Sequence, residues 1–247
     1  MNKETVYICG ISDLHGNLPE IKSCDIVVIC GDIFPLDIQK NMEKCEDWLL
    51  GDFKNWAEQL PCEKVVMIAG NHDFYFEKYG QFIAENNISK ISDKIIYLQD
   101  TSCYIYGLHI YGSPWCAGPL GWAFCPSRKV LDVGKKYNEI PDCDILLTHQ
   151  PPRVGDLSCS YPGDLIFEKD FGSDRLRKAI CNKKIVANFC GHIHTGRHYG
   201  VKYPTRDIDT MFYNVSLLDE RYNVSYEPTY CAFDVPSRTI TTVNNMP

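Results

Sequence analysis

Ten residues, Lys64 to Asp73 (KVVMIAGNHD), most restrict the folds open to this chain. Val65, Val66, Met67, Ile68 and Ala69 form an unbroken apolar run, the pattern of a central strand covered on both faces. Gly70 interrupts the run. Asn71, His72 and Asp73 then supply an amide oxygen, an imidazole and a carboxylate in succession. In open α/β sheets, ligands bind in the loops at the carboxyl ends of the strands. Taken alone, the triplet is equally consistent with a polar turn, so its meaning depends on whether other strands end the same way.

Val6 to Cys9 reads as a first strand and runs into Gly10-Ile11-Ser12-Asp13-Leu14-His15-Gly16-Asn17. Asp13 and His15 are two apart, so in extended backbone both point to one side, as metal ligands would. A stretch rich in Ser, Asp, Gly and Asn also makes an ordinary solvated turn. Asp25 to Cys30 is a second apolar strand followed by Gly31-Asp32, and Asp144 to Thr148 ends in His149-Gln150-Pro151-Pro152. Ile185 to Phe189 ends in Cys190-Gly191-His192-Ile193-His194. The strand ends thus carry D-L-H, G-D, G-N-H-D, H and G-H-I-H in that order. Each motif is weak evidence by itself, whereas all of them at one end of successive strands form a specific pattern.

Between these strands, Asn41 to Leu60 carries Met42, Cys45, Leu49, Phe53, Trp56 and Leu60 at helical spacing and stops at Pro61. A short helix is expected within Phe74 to Asn87, and strands at Ile95 to Leu98, Cys103 to Tyr106 and Leu108 to Tyr111, with His109 a packed or edge residue. Ser113 to Arg128 is irregular and holds Trp115, Trp122 and Phe124; a stretch of this kind is either a binding loop or a cover over the core. A long loop follows Pro152. Ser173 then caps a helix reaching Asn182, with Leu176 and Ile180 inward. The tail is β: Met211 to Val215, Thr229 to Val235 and Arg238 to Val243.

The 247 residues fit one domain over 1–247 better than two. No apolar stretch approaches the ~20 residues needed to cross a bilayer, and the amino terminus lacks the apolar core of a signal peptide. The expected compartment is therefore the cytoplasm. Thirteen scattered cysteines without a C-x-x-C pair do not suggest a disulfide framework there. The Asn-x-Ser sequons at Asn87, Asn214 and Asn223 then carry no glycan. A net charge of -7 argues against a long nucleic-acid footprint. It leaves room for a small phosphorylated substrate, because a bound cation reverses the local potential.

The five blocks from Asp13 to His194 resemble the signature of the calcineurin-like metallophosphoesterase superfamily. The phrases YGSPW, GWAF, DILLTHQPPRVGDL, GHIH, NVS, EPT and FDV are similar to the metallophosphoesterase-domain phosphodiesterases of animals and their bacterial relatives. The resemblance implies an α/β fold, a four-layer α/β/β/α sandwich with a binuclear metal site at the strand ends. It assigns Asp13, His15, Asp32 and His194 to one ion and Asp32, Asn71, His149 and His192 to the other, with Asp32 bridging. Some animal members lose the first histidine of G-H-x-H; His192 is kept here, so both sites are expected to fill. Carboxylate, amide and imidazole donors suit two divalent ions of the Mn, Fe or Zn type.

Such a pair clamps a phosphoryl group and brings the pKa of a shared water toward ~7, so that hydroxide attacks phosphorus in line with the leaving oxygen. His72, outside the ligand set, is the candidate general acid. Asp73 either orients its imidazole or caps the following helix. Asn17, Arg153 and His198 are weaker candidates for substrate contact. The second block, Gly31-Asp32-Ile33-Phe34-Pro35, departs from the G-D-x-V-D-R-G of Ser/Thr phosphatases. The favoured reaction is hydrolysis of small phosphodiesters, cyclic nucleotides included, with Trp115, Trp122 or Phe124 stacking on a base. The alternatives are a phosphomonoesterase of the same superfamily and a nucleotide-binding scaffold with vestigial catalysis. No membrane partner is expected, and oligomeric state is not legible.

Overall fold

The computed structural model describes residues 3–85, 91–161, 163, 164, 168–205 and 207–244. Two six-stranded mixed sheets lie face to face. The first is ordered β14-β13-β1-β2-β3-β4, with β1 at Thr5–Ile11, β2 at Ile26–Cys30, β3 at Lys64–Ile68, β4 at Ile95–Tyr97, β13 at Thr229–Asp234 and β14 at Thr239–Thr242. The second is β11-β12-β10-β7-β6-β5, with β5 at Thr101–Ile105, β6 at Leu108–Ser113, β7 at Cys143–Thr148, β10 at Ile185–Cys190, β11 at Val201–Pro204 and β12 at Asp209–Asn214. A two-stranded ribbon, β8 (Cys159–Ser160) with β9 (Lys169–Asp170), interrupts the long loop after β7.

The central strands are apolar throughout because both of their faces are covered. Val6, Ile8, Val28, Val66 and Ile68 of one sheet meet Ile110, Ile145, Leu147, Ala187 and Phe189 of the other. The opposite face of the first sheet, with Cys9, Ile11, Val27, Ile29, Val65 and Met67, packs under helices α1 (Met42–Trp48), α2 (Lys54–Gln59) and α3 (Phe74–Glu85). The opposite face of the second sheet, with Tyr111, Leu146, Ile185 and Phe212, packs under α4 (Val133–Glu139) and α5 (Asp174–Cys181). The four layers are therefore α/β/β/α, as expected.

The Asn41–Leu60 segment forms one helical run capped by the Asn41 side chain on Lys44 N. Its middle, Leu49–Phe53, is a π-helical turn. Cys45, Leu49, Phe53 and Ala57 are buried at intervals of four. At 3.6 residues per turn such a repeat drifts by about 40° each step, and the wider π turn returns the stripe to the sheet. Besides the β8–β9 ribbon, two elements escape the sequence reading. Helix α4 follows its N-cap Asp132, burying Val133 and Tyr137, and β11 is an alternating edge strand ending at a proline. Tyr106 leaves its expected strand: with Gly107 it makes the two-residue β5–β6 turn, both at positive φ. The end of the Phe74–Asn87 helix and the Asn87 sequon lie outside the described residues. Asn214 is buried and hydrogen-bonded to Leu157 O and Ile193 O. Among the described residues no helix is long and apolar enough to cross a membrane.

Candidate metal centre

Strands β1, β2 and β3 run parallel in one sheet and β7 and β10 in the other, so all five motif loops emerge at one edge of the sandwich. Backbone hydrogen bonds lace the loops together. Asp13 N donates to Gly31 O at 3.0 Å, His15 N to Asp32 O at 2.9 Å and Gly191 N to His149 O at 3.0 Å. Four potential ligands lie in the left-handed region: Asp13 at φ 56°, His15 at 43°, Asp32 at 56° and His192 at 71°. Each such residue costs on the order of 1–3 kcal/mol and persists only where its surroundings enforce it, as at functional sites.

Two glycines are required by proximity. A Cβ on Gly70 would lie 2.3 Å from Asp32 Oδ1 and 2.7 Å from His149 Cε1, and one on Gly191 would lie 2.3 Å from Asp13 Oδ2.

The donor atoms of Asp13, His15 and His194 lie within 4.8 Å of one another, as do those of Asp13, Asp32 and His149 and of His15, Asp32 and His72. Asp32 Oδ2 is 3.2 Å from His149 Nε2 and 3.7 Å from His15 Nε2, placing it between the two sides of the cluster. Asn71 Oδ1 also converges on His149 Nε2, at 2.9 Å. His192 is in none of the three groups; it stands edge-on to His149 with ring centroids 5.1 Å apart. Backbone carbonyls orient two imidazoles, Cys30 O accepting from His149 Nδ1 at 2.7 Å and Asp219 O from His194 Nδ1 at 2.9 Å. Both Nε2 atoms are thereby turned to the cluster, the arrangement by which proteins aim histidine ligands.

The protonation pattern suits a cation. Burial disfavours charge on His149, but Asp32 beside it lifts it to about 10. Burial likewise opposes His194, whose hydrogen bond with Asp13 raises it to about 9. Burial works against the carboxylates too, yet His194 holds Asp13, and His149 holds Asp32, well below the usual range. His15 and His192, more weakly paired, are pushed by burial down to about 4. Each carboxylate thus faces a proton on an imidazole, where a divalent ion could stand instead. The sharpest sign is His15, whose two ring nitrogens are both buried without a hydrogen-bond partner. An orphaned buried donor or acceptor costs about 1–3 kcal/mol, and a metal ligated by one of these nitrogens would remove much of that cost.

His72 belongs to the third of these groups, although the family resemblance leaves it outside the ligand set. Its ring is edge-on to His15 at 4.7 Å and against Trp122 at 4.5 Å, and burial lowers its pKa. Its Nδ1 is hydrogen-bonded to Gln39 Oε1 at 2.7 Å. The orienting role considered for Asp73 therefore belongs to Gln39, which the sequence did not single out.

Asp73 instead accepts from four backbone N–H groups, those of Asp32 (2.7 Å), Gly70 (2.8 Å), Ile33 (3.0 Å) and Phe34 (3.4 Å). It clamps the β2 loop to the β3 loop, and burial together with Asp32 pushes its carboxyl up to about 7.

Of the three aromatic candidates only Trp122 reaches the cluster. Trp115 donates from Nε1 to Asp100 and packs on Phe124, and Phe124 is 1% exposed inside the core. The loop folds back on itself, Cys116 N donating to Phe124 O, which turns Phe124 inward. Asn17 Nδ2 donates to Leu14 O within its own turn. Arg153 pairs with Asp170 and Asp174 at the start of α5. His198 bonds His194 O and stacks on Tyr226, lining a separate recess with Lys22 and Glu227.

Ser216 and Tyr222 also went unnoticed in the sequence. Ser216 Oγ donates to Asp13 Oδ2 at 2.6 Å, and Tyr222 stands edge-on to His15 and His194. Ser216 had a signal in the NVS phrase, whereas Tyr222 had none.

The family model described as calcineurin-like phosphoesterase matches residues 7–196. The human metallophosphoesterase domain-containing protein 1 is 29% identical, over 91% of this chain and 68% of that protein. UPF0046 protein C25E10.12 of Caenorhabditis elegans is 31% identical, over 93% of this chain and 80% of that protein. A solved crystal structure at 15% identity superposes with a TM-score of 0.60, over 97% of this chain and 98% of the other, a likeness of fold. The metal-competent cluster and these matches agree: the chain belongs to the calcineurin-like phosphoesterase family.

Proposed function

We propose that the chain is a binuclear, divalent-metal-dependent phosphodiesterase acting on small phosphodiesters, cyclic nucleotides among them. The observation that carries the metal-dependent part of this reading is the His15 ring, buried with neither nitrogen hydrogen-bonded, within a cluster that shares Asp13 and Asp32 among overlapping groups; the diester preference rests on the sequence resemblance to metallophosphoesterase-domain phosphodiesterases. Asp13, His15, Asp32 and His194 would hold one ion, and Asp32, Asn71, His149 and His192 the other. Their oxygen and imidazole donors suit Mn, Fe or Zn. When bound, such a pair supplies Lewis-acid stabilisation of phosphoryl charge and a nucleophile at neutral pH.

The protein's own groups do the rest. His192 N and Ser216 Oγ donate to Asp13, and His72 N donates to Asp32, so neither carboxylate can rotate freely. His72 delivers a proton to the leaving alkoxide. With the Nδ1–H held by Gln39 Oε1, Nε2 is the atom that takes up a proton once substrate is bound and hands it to the leaving oxygen. Burial keeps the ring neutral in the free protein, and an anionic substrate raises its proton affinity.

The test is manganese-dependent hydrolysis of bis-p-nitrophenyl phosphate beside p-nitrophenyl phosphate, by wild type and His72→Ala, with metal content measured. Preference for the diester supports the reading, and the general-acid role is supported by a metal-replete His72→Ala slowed by about 10²–10⁴-fold on a diester with an alkoxide leaving group, such as a cyclic nucleotide, and much less on bis-p-nitrophenyl phosphate, whose phenolate departs without a proton. Cleavage of the monoester alone makes the protein a phosphatase. Two bound metals with neither ester cleaved favours a nucleotide-binding scaffold.

A further inference from the structure

The ring contacts around the cluster form a chain: Trp122 to His72 at 4.5 Å, His72 to His15 at 4.7 Å, and His15 to Tyr222 at 4.9 Å, with Tyr222 also 5.5 Å from His194. An aromatic side chain thus stands at each end of the row of histidines. Tyr222 is 40% exposed, so the hydrophobic core does not account for it. It sits at φ 62° in a tight turn, a conformation that glycine or asparagine adopts more readily. The turn is built independently of the ring. Tyr222 N donates to Asp219 O, Asp219 N donates to Asn223 O, and the Asp219 carboxylate accepts from Arg221 N and Asn223 N. Asp219 O also accepts from His194 Nδ1, so the turn that presents the tyrosine is tied to the cluster itself.

We propose that Tyr222 is a specificity-determining residue: its ring is the wall for the ester group that stays on phosphorus, as Trp122 beside His72 is the wall for the departing one. The proposal rests on the phosphodiesterase reading and extends it to a substrate class. A monoester has one organic group and fills one wall. A diester with an aromatic or nucleoside group on each side of phosphorus fills both. Trp122 takes the leaving side because His72, the proton donor, lies against it. Tyr222 takes the other because it contacts His15 and His194 at the far end of the row.

Two diesters that share a leaving group separate the walls: bis-p-nitrophenyl phosphate and methyl p-nitrophenyl phosphate. Both release p-nitrophenolate, but only the first retains an aryl group. In wild type the bis-aryl ester has the higher kcat/KM. Tyr222→Ala shrinks that preference by about tenfold, chiefly through KM, while Tyr222→Phe retains it. Trp122→Ala weakens both esters alike. Metal content is measured for every variant, and Tyr222→Leu repeats the test with bulk kept and aromaticity lost. If Tyr222→Ala and Tyr222→Leu leave the preference intact, or if they lose metal, the ring is a structural prop for His15 and His194 and the wall assignment is wrong. If wild type binds metal and cleaves neither diester, the phosphodiesterase reading and the wall fall together.

Discussion

Gly70→Ala isolates what the site demands of the backbone. Gly70 does not have a positive φ, so alanine meets no conformational penalty there and its effect is steric. The new methyl would lie 2.3 Å from Asp32 Oδ1, 2.7 Å from Asp32 N and 2.7 Å from His149 Cε1. Ordinary contacts of this kind begin near ~3.4 Å, so the carboxylate must retreat by about 1 Å. Retreat breaks the bond from His72 N to Asp32 Oδ1, now 2.7 Å, and carries Oδ2 away from His149. Overpacking costs about 1–3 kcal/mol and a broken buried hydrogen bond about 1–3 kcal/mol more. The expected loss of about 2–6 kcal/mol lowers Tm by roughly 4–24 °C in a chain of this size.

A displacement of that order costs about 10²-fold in rate. The assay combines calorimetry, metal analysis and diesterase activity, with Gly51→Ala as control, since nothing lies within 4 Å of a Cβ there. Gly70→Ala protein with two metals, wild-type Tm and activity within threefold (about 0.7 kcal/mol) would refute the reasoning.

Metal removal should expose the imidazole protonation. In the metal-free protein His149 and His194, at about 10 and about 9, stabilise fully below the unfolded value of ~6.5, and this is lost as pH rises through those values. His15 and His192, at about 4, act in the opposite sense: their contribution is complete above ~6.5 and lost as pH falls through about 4. Chelated protein should therefore be most stable near pH ~6.5 and lose Tm toward about pH 9.5, while metal-loaded protein holds level because cations replace the protons. Parallel alkaline losses with and without chelator would count against it. Gln39→Leu should keep its metals and lose about tenfold in kcat on a cyclic nucleotide, whose alkoxide leaving group needs the proton, less than His72→Ala, by freeing the His72 ring; a loss equal to that of His72→Ala would make Gln39 more than a positioning residue.

The layout was legible where residue type and local geometry coincide. Runs such as DIVVIC and KVVMIA, short, β-branched and followed by glycine or a polar turn, read as strands buried on two faces, and a polar residue directly after such a run lies at the sheet's edge. Donors at Asp13, His15, Asp32, Asn71, His149, His192 and His194 were therefore legible at strand ends, while their division between two ions came only from the family resemblance. Helix α4 was missed although Asp132, Val133 and Tyr137 carry its cap and buried stripe. The aromatic loop was only half readable, because Trp122 and Phe124 are two apart and their neighbours decide which one turns inward.

The sequence by itself determined the two-sided apolar strands, their order and the donor at each strand end, since these depend on spacings of a few residues. Tertiary structure alone decided which distant groups meet those donors. Gln39 reaches His72 across 33 positions, Ser216 reaches Asp13 across 203, and Tyr222 joins His15 from near the end of the chain. Asp73, adjacent to His72 in sequence, turns instead to four backbone N–H groups. The reason is physical: a buried carboxylate goes where unpaired donors are concentrated, and the packing of the two sheets sets where those donors lie.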